Sequence, residues 1–183
     1  MKILIADDES IIRMGLKSML EGMGHEVMAT VNGRDALELT RRQKFDLAIL
    51  DIKMPYTDGL QAAKTIARTK PMPIIMLTAF GDDDLIEKAS DLPIHGYLIK
   101  PVESAELSAA INVAYKRFTE QRAIAEQALK LHKTLEMRKV VDRAKGKLMA
   151  DGYTEEEAYR MIQREARDSG LSMHDVAQSI LGG

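Results

Sequence analysis

Five residues with reactive side chains each follow a short apolar segment in the first hundred residues of the chain. They are, in chain order, Asp7, Asp8, Asp51, Thr78 and Lys100. Three carboxylates, a hydroxyl and an ammonium that converged on one place could hold a divalent cation and accept a phosphoryl group. The first question is therefore whether the chain folds so that these side chains meet.

The apolar segments have the length and composition of buried β-strands, and helical spacing appears between them. The predicted strands are Lys2–Ala6, Glu26–Val31, Leu47–Leu50, Pro73–Leu77 and Gly96–Ile99. The predicted helices between them are Ile11–Glu21, Asp35–Arg42, Gly59–Thr69 and Leu85–Ser90. Repeated βα units predict an α/β fold with a doubly wound five-stranded parallel sheet. Ligands of such sheets bind at the carboxyl ends of the strands, where all five reactive residues stand.

Three close carboxylates repel one another, so they need a cation if all are ionised. Mg²⁺ suits them because it takes few protein carboxylates and keeps waters and phosphoryl oxygens as its other ligands. Asp51 could then act as a nucleophile that forms an acyl phosphate, with Lys100 neutralising the transferred group. The alternative is that each strand simply ends in a polar residue that meets solvent. That explanation is adequate for any one of these residues, but it does not account for all five together.

The same residues carry a resemblance to a known family. The motifs are Asp7-Asp8-Glu9, Asp51-Ile52-Lys53-Met54-Pro55, Asp58-Gly59, Leu77-Thr78-Ala79 and Lys100-Pro101. In this order and spacing, the first two-thirds of the chain resembles the receiver domain of two-component response regulators, which has a flavodoxin-like fold. The resemblance implies that Asp51 is the phosphoacceptor and that a sensor histidine kinase is the donor. It also implies a Mg²⁺ site made by Asp7, Asp8, Asp51 and the main-chain carbonyl of Lys53.

The resemblance assigns roles in switching as well. Thr78 is expected to donate its hydroxyl to the phosphoryl group, and Lys100 to pair with that group. Tyr97 occupies the switch position and is expected to move inward when Thr78 is drawn to the phosphate. The Lys100–Pro101 peptide bond is expected to be cis.

Beyond Pro101 the sequence has no further proline, and it has no glycine between Gly96 and Gly146, which predicts a long helix. Apolar residues recur along it at coiled-coil spacing, with a polar Gln121 in the first stripe. The first stripe is Leu107, Ile111, Ala114, Phe118, Gln121 and Ala125, and the second is Ile124, Ala128, Leu131 and Leu135. We expect a two-stranded coiled coil and a homodimer on phosphorylation. The alternative is a helix packed on its own receiver.

The last part of the chain predicts a small three-helix domain. Its first helix includes residues 137–149, Thr154 and Glu157 form a capping box for the second, and the third begins at Ser172–Asp175. Tyr159 is expected in the core. The predicted organisation is a receiver over 1–118, a coiled-coil linker over 119–135 and the small domain over 136–183.

Basic residues are concentrated in this last part. Between Lys130 and Met149 there are seven basic and two acidic residues, although the whole chain carries a net charge of −2. Arg160, Arg164 and Arg167 add a basic stripe to the second helix. A solvated charged face is one interpretation of this pattern, and nucleic-acid binding is the other.

A second resemblance covers roughly Thr134 to Leu181. It is carried by residues 143–149, Gly152, Glu157-Ala158-Tyr159, Ala166 and Val176-Ala177, and it points to the ANTAR family of RNA-binding antitermination domains. The resemblance implies binding to RNA stem-loops in nascent transcripts, which prevents a terminator hairpin from forming. Phosphate contacts are expected from Arg143, Lys145 and Lys147, and Arg160 and Arg164 are expected to be further RNA-binding residues. Small residues, Ala144 and Gly146, are expected to let RNA approach the backbone.

Composition limits the other function classes. The chain has no cysteine and only four histidines, which excludes disulfides and disfavours a zinc site. No apolar run approaches the roughly 20 residues that span a bilayer, so we expect a cytoplasmic protein without a membrane partner. No convergent catalytic set follows Lys100, so we expect no enzyme in the tail. The alternatives to RNA binding are a DNA-binding and a protein-interaction output domain.

Overall fold

A computed structural model describes residues 1–79 and 92–182 of the chain. The chain divides into two compact units, Met1–Gln121 and Arg122–Gly183. We call them the N-terminal unit and the C-terminal unit. The helix predicted at Leu85–Ser90 lies outside the described residues.

The N-terminal unit is built on a five-stranded parallel sheet, as predicted. Its strands are β1 (Lys2–Ala6), β2 (Glu26–Thr30), β3 (Leu47–Asp51), β4 (Ile74–Thr78) and β5 (Gly96–Ile99). Its described residues form the helices α1 (Ser10–Gly22), α2 (Gly33–Arg42), α3 (Gly59–Thr69) and the first part of α4 (Ser104–Ala150). The strand order is β2-β1-β3-β4-β5, with every pairing parallel. The doubly wound α/β prediction is confirmed.

Alternate residues of the strands point to opposite faces of the sheet, and each face has its own core. Leu4 and Ala6 belong to the core formed with α2 and α3. Ile3 and Ile5 belong to the core formed with α1 and the start of α4. Every residue of β3 and β4 is buried, as expected for parallel strands covered on both faces.

The first half of the first stripe packs inside the N-terminal unit, whereas Gln121 and Ala125 of the same stripe are exposed. Leu107, Ile111 and Ala114 are at most 3% exposed and belong to the core with α1. The prediction that they form a coiled-coil seam is therefore wrong, and the alternative of a helix packed on its own receiver holds there. Both patterns recur at 3–4 residue spacing, so the sequence alone does not separate them.

The C-terminal unit contains the remainder of α4 with α5 (Glu155–Ser169) and α6 (Met173–Gly182). Its core is formed by seven buried residues, namely Ala144, Leu148, Ala158, Ile162, Ala166, Val176 and Ala177. The predicted capping box is present, with Thr154 and Glu157 exchanging hydrogen bonds. Gly170 ends α5 in the left-handed conformation with φ 70°. Tyr159 is 44% exposed, so its placement in the core was wrong.

The second predicted stripe of α4 is exposed. Ile124, Leu131 and Leu135 are 68%, 59% and 54% exposed, respectively, and Ala128 is exposed between them. An apolar stripe at 4-3-4 spacing that none of the described residues covers fits one strand of a coiled coil. Among the described helices, none is both long and apolar enough to cross a membrane.

Candidate functional site

The strand register brings the predicted reactive residues to one edge of the sheet. Ala6 pairs with Leu50, and Asp51 pairs with Leu77. The carboxyl ends of β1, β3 and β4 therefore lie side by side at one edge of the sheet. Thr78 pairs with Ile99, which places Lys100 there as well. We call Asp7, Asp8, Asp51 and Lys100 the acidic crevice.

Lys100 pairs with three carboxylates at the acidic crevice. Its Nζ lies 2.9 Å from Asp7 Oδ2, 3.0 Å from Asp51 Oδ2 and 3.0 Å from Glu9 Oε1. Burial opposes the charged form of this side chain, but hydrogen bonds to Asp7, Asp51 and Glu9 outweigh it and raise the pKa of Lys100 above its ordinary value. The ammonium therefore stays charged and partly neutralises the carboxylates around it. Sequence reasoning missed the contact with Glu9, because nothing in the motif shows where that side chain points.

Asp51 is only 5% exposed. Burial raises the pKa of its carboxyl group, and the hydrogen bond and charge of Lys100 only partly offset this. The backbone N–H of Lys53 also donates a hydrogen bond to Asp51. One carboxylate oxygen of Asp51 is thus oriented by Lys100, in a site from which most water is excluded.

The donor set fits a hard divalent cation. Carboxylate oxygens of Asp7, Asp8 and Asp51 lie within 4.8 Å of one another. Asp7 is fully buried, and its Oδ2 accepts no hydrogen bond from the described residues beyond its ion pair with Lys100. Because Lys100 is shared with Asp51 and Glu9, a second cation would further stabilise this buried carboxylate. An all-oxygen set of this kind is what Mg²⁺ prefers.

The loop after β1 is fixed by its own hydrogen bonds. Glu9 N donates to Asp7 Oδ1 at 2.8 Å, and Arg13 Nη1 donates to the carbonyls of Asp7 and Asp8 at 2.8 and 3.2 Å. These bonds hold the two acidic residues in place although Asp8 is exposed. The cation site is therefore preorganised on the β1 side.

Thr78 and Tyr97 lie where the resemblance places them. Thr78 is 1% exposed, and its hydroxyl donates to the Ala79 carbonyl at 3.2 Å. Tyr97 is partly buried against the core with α2 and α3, and burial raises the pKa of its phenol. The Lys100–Pro101 bond is cis, as expected. The roles of Thr78 and Tyr97 in switching stay predictions.

Gly59 is a residue that the site requires for steric reasons. A Cβ added at Gly59 would lie 1.9 Å from the main-chain oxygen of Asp51. The Gly59 N–H donates to the Ile52 carbonyl at 3.0 Å, and Asp58 caps α3 by accepting from Gln61 N. The start of α3 therefore approaches the backbone of Asp51 so closely that only glycine fits.

In the C-terminal unit the predicted RNA contacts separate into different groups. Ala144 is fully buried among Leu148 and Ile162. The prediction that RNA lies against Ala144 was wrong, because this small residue lets α5 approach α4 inside the core. Gly146, in contrast, is exposed, and an added Cβ there would meet nothing within 4 Å.

Several of the cations already have partners inside the chain. Lys145 Nζ lies 3.0 Å from Asp142 Oδ1 and 2.9 Å from Glu155 Oε1, and its hydrogen bonds to Glu155 and Asp142 raise the pKa of its ammonium. Lys147 Nζ donates to the Ile180 carbonyl at 2.7 Å near the end of α6. Arg160 pairs with Glu156 at 2.5 Å on the surface of α5.

Two further arginines are available to a partner. Arg143 and Arg164 are exposed and make no ion pair within the described residues. Arg164 lines a shallow surface depression together with Arg160, Arg167 and Tyr153. The arginine stripe of α5 is thus exposed, as the spacing indicated.

Family models match both parts of the chain. Residues 3–112 match the response regulator receiver domain, and residues 129–181 match the ANTAR domain. The chain belongs to the response regulators with an ANTAR domain. This regulator therefore joins a receiver, whose family binds Mg²⁺ in an acidic pocket and pairs with a sensor kinase, to an RNA-binding antitermination output.

Individual relatives agree with this assignment. The regulator is 43% identical over 182 residues to the transcriptional regulatory protein PdtaR of Mycobacterium tuberculosis, covering 98% of this chain and 89% of the relative. It is 36% identical over 115 residues to the transcriptional regulatory protein AfsQ1 of Streptomyces coelicolor, covering 63% of this chain and 51% of that one.

A solved receiver-domain structure from Clostridium thermocellum supports the fold. It is 35% identical to this chain, with a TM-score of 0.59, and the match covers 66% of this chain and 98% of that structure. The match to PdtaR extends over both units of the regulator, whereas the matches to AfsQ1 and to this structure cover about two-thirds of the chain.

Proposed function

We propose that the regulator is phosphorylated on Asp51 by a sensor histidine kinase and that phosphorylation promotes dimerisation and binding to RNA hairpins. The observation that carries the proposal is the geometry of the acidic crevice, where Lys100 Nζ lies 3.0 Å from Asp51 Oδ2 beside two more acids. A buried nucleophile, a fixed cation and an oxygen-rich metal site are the parts that phosphoryl transfer to a carboxylate needs.

In the proposed transfer, an oxygen of Asp51 forms a bond to the phosphorus of a phosphohistidine. The phosphorus–nitrogen bond breaks, and its electron pair returns to the imidazole of the kinase. Lys100 stays charged and pairs with a phosphoryl oxygen, and Thr78 turns its hydroxyl from Ala79 towards another. Asp7, Asp8, Asp51 and the Lys53 carbonyl would hold Mg²⁺, which neutralises negative charge on the phosphoryl group when bound.

The switch follows from the same contacts. The Thr78 hydroxyl now donates to the Ala79 carbonyl, so drawing it to a phosphate releases that bond and moves the end of β4. Tyr97 is then expected to move further into the space beside β4. We propose that this shift favours pairing of two chains through the exposed stripe at Ile124, Ala128, Leu131 and Leu135.

The output follows from the ANTAR domain. Two paired domains would engage two RNA hairpins, so that weak single contacts add up to strong binding, and a terminator hairpin would be prevented from forming. A kinase and a nascent transcript meet in the cytoplasm, where we propose that the regulator acts. We further propose that the chain catalyses no reaction on other molecules and that its own chemistry is the phosphorylation of Asp51.

The test is hairpin-RNA affinity with and without a small acyl-phosphate donor, in wild type and in Asp51→Ala. We expect tighter binding only for wild type treated with the donor and Mg²⁺, together with a dimer in analytical ultracentrifugation. Glu103→Ala, which removes an exposed carboxylate just before α4, is the control and should respond as wild type does.

The outcomes separate the parts of the proposal. RNA binding that does not depend on Asp51 would support the RNA-binding output and contradict its control by phosphorylation. Binding to duplex DNA in preference to hairpin RNA, or to neither, would favour a DNA-binding or protein-interaction output instead. If phosphorylated wild type stays monomeric at high concentration, the proposed dimerisation is wrong.

A further inference from the structure

His95 joins the sheet to the last turn of α4 within the N-terminal unit. It directly precedes β5 and is only 3% exposed. Its main-chain N–H donates to the Ile74 carbonyl at 2.8 Å, and its ring Nδ1 accepts from the Ile74 N–H at 3.2 Å. The backbone and the ring of His95 are therefore both fixed by the first residue of β4.

Three residues of α4 also contact His95. Arg117 Nη1 donates to the His95 carbonyl at 3.3 Å, and the ring of Phe118 lies edge-on to the imidazole, with the two centroids 5.4 Å apart. The Gln121 side chain forms a hydrogen bond with the imidazole. In a neutral imidazole whose Nδ1 accepts, Nε2 carries the proton, so Gln121 is the acceptor of that bond. One histidine in one tautomer thus connects β4 to the helix.

Two of these contacts use positions that continue the exposed stripe of α4 towards the N-terminus. Arg117 comes seven residues before Ile124, and Gln121 comes seven residues before Ala128. Residues seven apart occupy equivalent places in the seam of a coiled coil. A seam that continued from the exposed stripe would therefore include Arg117 and Gln121, which His95 already engages.

The exposed stripe alone makes a short seam. It runs from Ile124 to Leu135, which is less than two heptads, whereas the pattern of a coiled coil is usually sustained over at least three. Continuation to Arg117 adds a further heptad, in which the polar Gln121 can set the register of two helices. Pairing over this longer seam must first break the contacts with His95, so the free energy of those contacts is lost from the dimer.

The strand β5 connects His95 to the acidic crevice. It is only four residues long, Gly96–Ile99, with His95 directly before it and Lys100 directly after it. Lys100 pairs with Asp51 at 3.0 Å, and Tyr97 stands within the strand. A short strand is a rigid element that can carry a displacement from one of its ends to the other. A shift of β5 caused by a phosphoryl group on Asp51 would therefore reach His95.

We infer that His95 and residues 117–121 form an autoinhibitory latch, which keeps the coiled-coil seam short until phosphorylation of Asp51 displaces β5. His95 is a positioning residue in this device, because it acts on α4 and not on the phosphoryl group. This inference rests on the proposed dimerisation and names the contact that restrains it.

The first experiment opens the latch without a phosphoryl donor and measures self-association of the full chain by sedimentation velocity. His95→Ala removes the ring contacts and should tighten the dimer about tenfold, since two interactions with α4 no longer oppose pairing. His95→Gln keeps an acceptor for Ile74 N and a donor for Gln121, so its dimer should stay within about twofold of wild type. Aggregation of a destabilised variant would appear as species larger than a dimer.

Substitutions on α4 test the same contact from the helix side. Arg117→Ala removes the donor to the His95 carbonyl and should tighten the unphosphorylated dimer about fivefold, the effect of one lost hydrogen bond. Lys116→Ala is the matched control, because it removes an exposed cation from the neighbouring position, where Lys116 pairs with Glu120 at 3.9 Å. It should leave the dimer as in wild type, which separates loss of the latch from loss of a positive charge.

The NMR signals of the His95 ring report whether phosphorylation opens the latch. In the unphosphorylated chain the carbon-bound ring protons should be displaced by the ring current of Phe118. On phosphorylation of wild type they should move towards the values of a free histidine as the dimer forms. Signals that stay in place while the dimer forms would show that phosphorylation leaves this contact closed.

The remaining outcomes distinguish the latch from the proposed function. If phosphorylated wild type does not dimerise, the proposed function fails, and this inference fails with it. If phosphorylated wild type dimerises but unphosphorylated His95→Ala pairs no more tightly than unphosphorylated wild type, the proposed function stands and the latch is wrong. If His95→Ala no longer dimerises when phosphorylated, His95 promotes pairing, and its assignment as a restraint is overturned.

Discussion

In the acidic crevice the charged side chains are held by ion pairs within the protein, whereas on the outward side of α4 in the C-terminal unit Arg143 is exposed to solvent. Lys100 is 12% exposed and lies within 3.0 Å of three carboxylates. Arg143 is exposed and has no ionic partner among the described residues. The two glycines differ in the same way, since a Cβ at Gly59 would collide with Asp51, whereas a Cβ at Gly146 would meet no described atom within 4 Å. Contacts within the protein thus position the side chains of the acidic crevice, whereas the side chains on the outward side of α4 face solvent.

The difference predicts which substitutions each region tolerates. Replacing a core residue of the C-terminal unit should be more damaging than any change on its surface. Ile162 is fully buried in a core of seven residues, so Ile162→Ala should destabilise that unit by about 3 kcal/mol. Ile124→Ala, at a 68% exposed position of α4, should change monomer stability by less than about 0.5 kcal/mol.

Hydrogen exchange on full-length protein checks this prediction by reporting each unit separately. The expected pattern for Ile162→Ala is loss of protection in α5 and α6 with normal phosphorylation of Asp51. If protection in β1 and β3 fell as well, the two units would not be independent in stability, and the comparison would fail.

The next largest effect is expected at Gly59. Gly59→Ala puts a Cβ about where the Asp51 carbonyl lies, so β3 or α3 must shift, at about 2–3 kcal/mol of overpacking. Urea denaturation of the N-terminal unit measures the loss, and phosphorylation should slow because Asp51 moves. Gly15→Ala adds the same methyl group in open space and should be neutral or slightly stabilising, so equal effects of the two would contradict the steric explanation.

A smaller effect is expected from Lys100→Met. The ammonium of Lys100 competes with a metal for Asp7 and Asp51, so its removal should raise Mg²⁺ affinity about tenfold by isothermal titration calorimetry. Phosphorylation should nevertheless fail to promote RNA binding, because the phosphoryl group loses its partner. Lys145→Met, which also removes a lysine held between two acids, should leave Mg²⁺ affinity unchanged. A decrease at Lys100→Met would show that the lysine supports the metal site.

The smallest effect is a pH dependence from His95. This residue is 3% exposed, its Nδ1 accepts from Ile74 N at 3.2 Å, and its ring contacts Phe118 edge-on. Burial lowers the pKa of His95 from its ordinary 6.5, with the nearby Arg117 guanidinium acting in the same direction and Gln121 opposing. The unfolded chain therefore binds more protons at this site when the pH falls below about 6.5.

The stability that His95 contributes is complete above pH 6.5 and is lost as the pH falls towards its lowered folded pKa. His95→Gln keeps an acceptor for Ile74 N and does not titrate. Between pH 7.5 and 5.5 the difference in unfolding free energy between wild type and His95→Gln should move against wild type by less than about 1 kcal/mol. A difference that stays constant with pH would mean that His95 is not neutral in the fold.

Sequence reasoning predicted the acidic crevice more completely than the helices of the C-terminal unit, for physical reasons. Strands with apolar runs and polar ends predict both a parallel sheet and the edge at which Asp7, Asp51 and Lys100 meet, because chain direction fixes the location of the carboxyl ends. The contact between Glu9 and Lys100 was missed, since a side chain's direction in a loop depends on atoms far away in sequence.

The packing partners of the helices were harder to predict, because one spacing of apolar residues is compatible with several kinds of packing. The spacing of Leu107, Ile111 and Ala114 is the same whether the helix covers a sheet or another helix. Ala144 and Gly146 are both small and near cations, yet only the three-dimensional packing separates the core residue from the exposed one. Tyr159 shows the reverse error, since an aromatic ring next to a buried alanine is not itself buried.

Four of the seven core residues of the C-terminal unit are alanines, namely Ala144, Ala158, Ala166 and Ala177. Alanine buries little apolar area, so this unit should be much less stable than the N-terminal unit, whose core has full-sized side chains. A ligand that binds only the folded form then raises stability by mass action, by about 2.7 kcal/mol at a hundred times its dissociation constant. The melting temperature of the C-terminal unit should therefore rise with RNA concentration, and the melting temperature of the N-terminal unit in the same sample serves as the internal reference.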